Sequence, residues 1–133
     1  MRLLSLALLT LLLTACTSQS TGITPALLGE TWVIEDVNAH GIIDSSYIAL
    51  TFQADGRFSG HASCNPIAGR YQATQQNIRI TLEHIGEKAC AEALMYQEKS
   101  VLDLLTRVSQ YQLQDSRTLV LRDENGAFLL ARR

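Results

Sequence analysis

The sequence predicts an α+β domain: a compact, curled antiparallel β-sheet, barrel-like in form, packed with a single α-helix. Three observations carry that expectation. Short runs of two-residue apolar alternation recur between turn residues, one long segment free of Gly and Pro carries a helical apolar stripe, and the alternation resumes after it. A length of 133 residues fits one domain, and a hydrophobic fraction of 47% is enough to build a core.

The elements follow in order. Residues 31–37 form a first strand with Trp32, Ile34 and Asp36 on one parity and Val33, Glu35 and Val37 on the other, so its facing stays open. Residues 47–53 alternate more cleanly, with Ile48, Leu50 and Phe52 against Ala49, Thr51 and Gln53. Ala54-Asp55-Gly56 makes a tight turn in which Gly supplies positive φ, so residues 57–62 return antiparallel. Residues 69–73 and 77–85 make the next pair, with Ile78, Ile80 and Leu82 inward and Arg79, Thr81 and Glu83 in water. From 91 to 108, Leu94, Val101, Leu102, Leu105 and Val108 line one helical face, while Glu98 and Asp103 lie on solvated faces. Residues 111–114, 118–122 and 127–132 close the chain as short strands turned by Asp115-Ser116 and Glu124-Asn125-Gly126. Asn-Gly between alternating apolar runs is a strong hairpin signal, because both residues tolerate positive φ.

The N-terminus reads differently. Met1-Arg2 is a short positive start, residues 3–13 hold eight leucines, and Leu13-Thr14-Ala15 leads to Cys16. This is the layout of a secretory signal over residues 1–15, and it is well short of the roughly 20 apolar residues that span a bilayer. Leu-Thr-Ala-Cys resembles the lipobox of bacterial lipoproteins. The resemblance implies that Cys16 is lipidated after cleavage and that acyl chains such as palmitate hold the protein to a membrane. Thr17, where inner-membrane lipoproteins typically carry Asp, points to the outer membrane and its periplasmic face. Residues 16–29 read as a lipidated flexible tether, polar and small with Pro25 near its end, and residues 30–133 as the folded domain. Beyond residue 15 the chain carries ten Lys and Arg against thirteen Asp and Glu. Such a balance offers no basic surface for a phosphate backbone, so nucleic acid is not an expected partner.

With Cys16 taken by lipid, Cys64 and Cys90 remain. In an oxidising periplasm they are expected to pair, closing a loop of about 27 residues worth about 3.5 kcal/mol by loop-closure entropy. The rival reading, a nucleophilic or redox thiol, lacks the Cys-x-x-Cys spacing usual for such pairs.

Around these cysteines the chain reads Ser59-Gly60-His61-Ala62-Ser63-Cys64-Asn65, then Gly69-Arg70-Tyr71, then Ala89-Cys90 before the helix and Leu119-Val120-Leu121 near the end. From Trp32 to Leu130 this order resembles the META-domain family, heat-shock lipoproteins of the HslJ type. In that family a Trp-containing first strand precedes a Gly-Cys-Asn turn, Gly-x-Tyr, a Met-Ala-Cys segment and a terminal hairpin. Here Ser63 replaces the glycine before the cysteine, and Lys88 stands where methionine is usual. The resemblance implies a compact antiparallel β structure with one helix and an envelope-stress role. It carries over no enzymatic residues and no cofactor.

Other chemistry is thinly signalled. His40, His61 and His84 lie in separate segments, and a metal site needs them to converge. Ser59-Gly60-His61 reads as an outward strand edge rather than part of a triad, since no Gly-x-Ser-x-Gly elbow accompanies it. Glu83, Glu87, Glu92 and Glu98 read as solvated faces, Asn65-Pro66 as a turn, and Trp32 and Tyr71 as core or rim aromatics. The expected role is therefore non-catalytic, an outer-membrane lipoprotein that binds a protein partner or an apolar ligand in envelope stress or assembly. The alternative is a small periplasmic enzyme or protease inhibitor. Converging His, Asp or Ser side chains in a deep pocket would mark the enzyme, and a rigid protruding loop at Cys64 the inhibitor.

Overall fold

A computed structural model describes residues 24–133. The expected signal over residues 1–15, the proposed lipid site Cys16 and the first part of the expected tether lie outside the described residues. Eight strands run β1 Thr31–Val37, β2 Tyr47–Phe52, β3 Arg57–Ser63, β4 Pro66–Thr74, β5 Asn77–Ile85, β6 Val108–Leu113, β7 Thr118–Asp123 and β8 Phe128–Arg132. One helix, α1 Glu92–Arg107, stands between β5 and β6. Each strand pairs antiparallel with its neighbour in sequence, and β8 returns to β1, so the sheet is a closed barrel. Among the described residues no helix is long and apolar enough to cross a membrane.

An eight-stranded barrel is about wide enough for its own side chains to fill. Trp32, Ile34, Ile48, Leu50 and Phe52 are fully buried, and α1 adds Val101, Leu104 and Leu105 to the same core. The phenol of Tyr71 donates to the Gln53 carbonyl at 2.6 Å and its ring meets Phe52 edge-on. Burial of this ring holds the Tyr71 pKa above its ordinary value. Trp32 and Tyr71 are thus core residues.

Four sequence expectations change. The chain is packed before residue 30: Leu27, in a 3-10 turn over Pro25–Leu27, is fully buried and its carbonyl accepts the Trp32 indole N–H at 3.0 Å. β4 starts at Pro66 rather than 69, because Pro66 opposes His61 at the strand's first position, where a missing N–H costs least. Residues 59–61 are no sheet edge, since β3 is paired on both sides. Gly60 and Gly69 serve the curl of the sheet: a Cβ would lie 2.1 Å from the Ala49 carbonyl oxygen at Gly60 and 2.0 Å from that of Thr81 at Gly69. The fourth concerns Glu98, which is not in water.

The barrel has one weak seam. β5 and β6 share a single paired position, Asn77↔Gln110, whereas β4 and β5 pair along their length. At the end where β1 starts, Arg133 sits beside the first strand: it pairs with Glu30, and its guanidinium lies 4.5 Å from the centre of the Trp32 ring.

Candidate functional site

At the opposite mouth of the barrel the buried polar residues Ser63, Asn65 and Glu98 gather around a disulfide. Cys64, just beyond β3, is bonded to Cys90, two residues before α1, with the Cα atoms 6.0 Å apart. The Cys64 sulfur also lies 3.2 Å from the Lys88 carbonyl oxygen; being oxidised, it has no proton to donate, and this is a contact only.

Glu98, in the second turn of α1, turns inward and is buried. Its Oε2 accepts the backbone N–H of Cys64 at 3.0 Å and that of Asn65 at 2.6 Å, while Oε1 accepts from the Asn65 amide at 2.9 Å. The expectation of a solvated carboxylate fails because three donors from a turn 33 residues upstream replace water. Asn65 also donates to the Lys88 carbonyl at 3.1 Å and accepts the Lys88 N–H at 2.7 Å. Gln97, one residue before Glu98, reaches the other way. Its amide donates to the hydroxyls of Ser46 and Ser63 at 2.9 Å each, and its carbonyl accepts the Ile43 N–H at 2.8 Å.

Two adjacent helix residues and one disulfide therefore fasten three loops. Sequence reasoning found the cysteines but missed Gln97, Ser46 and the inward turn of Glu98, for which no local pattern exists. Ser63 adds a strained point: it is buried at φ +93°, where an L side chain crowds its own backbone. The polar capacity of Asn65 and Glu98 is spent on neighbouring loops, so this arrangement works as a clasp.

The remaining candidates scatter. His40 and His84 are exposed, and His61 lies against Tyr47, its Nδ1 3.1 Å from the Tyr47 carbonyl oxygen. Glu83 pairs on the surface with Arg70, and Glu87 and Glu92 are exposed. Among the described residues no group of three His, Cys, Asp or Glu side chains converges as metal ligands do.

Beside the clasp a groove of about 370 Å³ runs between α1 and β5, walled by Leu82, Met95 and Leu102, with Lys99 and Asp103 at its rim. Thr106 carries it into a more polar cleft of about 620 Å³ at the β5–β6 seam, bordered by Ile78, Arg79, Arg107 and Asp123. Met95 and its neighbour Tyr96 are both exposed, Tyr96 by 74%.

A family described as META domain matches residues 25–133. No curated protein matches the chain. Among solved structures it is similar to a DUF4847 family protein from Bacteroides vulgatus, with a TM-score of 0.54 and 24% identity, over 64% of this chain and 57% of that one. The chain thus spans little more than half the length of that relative. It is also similar to a protein from Burkholderia xenovorans solved by NMR, with a TM-score of 0.64 and 22% identity, over 87% of this chain and 95% of that one. A further NMR structure matches with a TM-score of 0.64 and 20% identity, over 84% of this chain and 96% of the other. At these identities the likeness concerns the fold.

Proposed function

The chain belongs to the META domain family, and from that premise we propose that it is a non-catalytic lipoprotein of the outer membrane that engages a protein partner in envelope stress or assembly. The anchor rests on the lipobox-like Leu13-Thr14-Ala15-Cys16 after a leucine-rich leader. The partner reading rests on one observation: the barrel is filled by its own side chains, while an apolar groove opens outside, between α1 and β5. A guest therefore binds on the surface rather than in a chamber. The clasp of Cys64, Cys90, Asn65 and Glu98 supports this reading by holding the groove's helix in place before any guest arrives, which lowers the entropy lost on binding.

Labelling with palmitate and separation of the two membranes by density test the anchor. The expected result is label on the protein and recovery with outer membranes, both lost in Cys16→Ser. Label that persists in Cys16→Ser, or wild-type protein recovered without membrane, overturns it.

A further inference from the structure

The two sulfurs of the clasp have unlike surroundings. Cys64 is 3% exposed and stands between Ser63 and Asn65, both buried. Cys90 is partly exposed, and its neighbours Ala89 and Ala91 are exposed residues with side chains too short to screen it. A reagent in water therefore meets Cys90 before Cys64. Charge separates the two as well. The Cys64 N–H is held by the Glu98 carboxylate at 3.0 Å, and the Cys64 sulfur lies 3.2 Å from the Lys88 carbonyl oxygen. When the bond is reduced, these oxygens disfavour a thiolate at Cys64 and offer its proton an acceptor. Cys90 adjoins Ala91, whose carbonyl accepts the N–H groups of Leu94 and Met95 at the start of the 16-residue α1, where the helix dipole favours an anion. Lys88 and Glu92, two residues to either side of Cys90, are exposed and of opposite charge, so neither reverses that preference. The pair is also held in place without its bond. Asn65 is tied to both backbone groups of Lys88, and Glu98 ties the Asn65 turn to α1, through hydrogen bonds that do not use the sulfurs. Reduction thus leaves two thiols facing each other across a fastened mouth.

We propose that Cys90 is the exchange thiol at which a disulfide-bearing oxidant makes this bond, and that Cys64 is the resolving thiol. In the first step the Cys90 thiol loses its proton to water and its sulfur attacks one sulfur of the oxidant. A bond forms between them, the oxidant's own S–S bond breaks, and its second sulfur leaves as a thiolate that takes up a proton. In the second step the Cys64 thiol loses its proton and its sulfur attacks the Cys90 sulfur. The Cys64–Cys90 bond forms, and the oxidant's first sulfur leaves as a thiolate and is protonated. The two cysteines give up two electrons and two protons, and the oxidant ends as two thiols. Reversal must expel Cys64 as a thiolate beside Glu98, the poorer leaving group, so a reductant that reaches Cys90 reopens the clasp slowly. The inference concerns how the domain is completed and rests on neither the anchor nor the partner reading.

The test uses the reduced full-length mature protein in detergent, with oxidised glutathione as oxidant, iodoacetamide as thiol probe, and peptide mass spectrometry to place each adduct. In the folded reduced chain a short iodoacetamide pulse is expected to label Cys90 about tenfold faster than Cys64, a ratio that falls to about one in urea. With oxidised glutathione, Cys64→Ser should accumulate glutathione on Cys90, while Cys90→Ser should leave Cys64 mostly unmodified over the same time. The pulse on the unsubstituted chain decides the matter if either variant does not fold. The proposal is overturned if Cys64 is labelled as fast as Cys90, if the ratio is the same with and without urea, or if glutathione settles on Cys64 in Cys90→Ser as readily as on Cys90 in Cys64→Ser. Label on Cys16 would remove the anchor and leave this inference standing.

Discussion

At the scale of single residues, the mouth of the barrel depends on Glu98. Replacing it by Ala strands three donors from Cys64 and Asn65 in a buried turn, and an unmet buried donor costs about 1–3 kcal/mol. Glu98→Ala is therefore expected to lower unfolding free energy by about 3 kcal/mol or more, read from urea titration. Ser63 supplies the opposite kind of test. Ser63→Gly and Ser63→Ala both lose the hydroxyl that Gln97 reaches, but only Gly adopts φ +93° without strain, so the Gly variant should be the more stable by about 1–2 kcal/mol. On the surface, the backbone N–H of Arg117 holds the Asp115 pKa below its ordinary value, and the Arg57 side chain does the same for Asp55. A depressed carboxyl stabilises the fold above its unfolded pKa and loses that contribution as pH falls through the folded one, so the loss starts near about pH 4 and continues downward. The fall in Tm with acid should be shallower in Asp115→Asn than in the parent.

At the scale of elements, the hairpins were legible because their turns demand residues that few others can replace. Gly56 and Gly126 both adopt positive φ where Asp55-Gly56 and Asn125-Gly126 announced it. The helix was legible from its stripe, within one residue at each end. The barrel-like curl was expected, but the pairing of β8 with β1 that closes it was not legible, because the two strands lie almost a whole chain apart and neither strand's pattern names its partner. Nor was the burial of Glu98, since a carboxyl reads as solvent-facing until the donors that replace water are known. The register also assigns the glycines different weights. Gly69→Ala forces a Cβ against the Thr81 carbonyl oxygen and the Phe58 ring, 2.9 Å away, and is expected to cost about 3 kcal/mol. Gly126→Ala meets open space and should lose only about 1 kcal/mol of backbone strain. Parallel urea curves of the two variants check the ranking.

For the whole molecule, the disulfide decides how safely the domain stands. Stability of a domain this size is on the order of 5–15 kcal/mol, and releasing the loop between Cys64 and Cys90 removes about 3.5 kcal/mol of it. Cys64→Ala with Cys90→Ala should lower Tm by about 15 °C or more while leaving the far-UV spectrum that of a barrel, and faster amide exchange should appear first in residues 86–91. The position of Arg133 bears on how the protein can be handled at all. Its guanidinium stacks on Trp32 and pairs with Glu30 beside the first strand, so an affinity handle or fluorophore joined there would pull on the indole beneath it. The hairpin tip at Glu124 and Asn125 points from the other rim and is exposed, so a reporter inserted there leaves the Trp32 contact alone, although it stands at the border of the polar cleft.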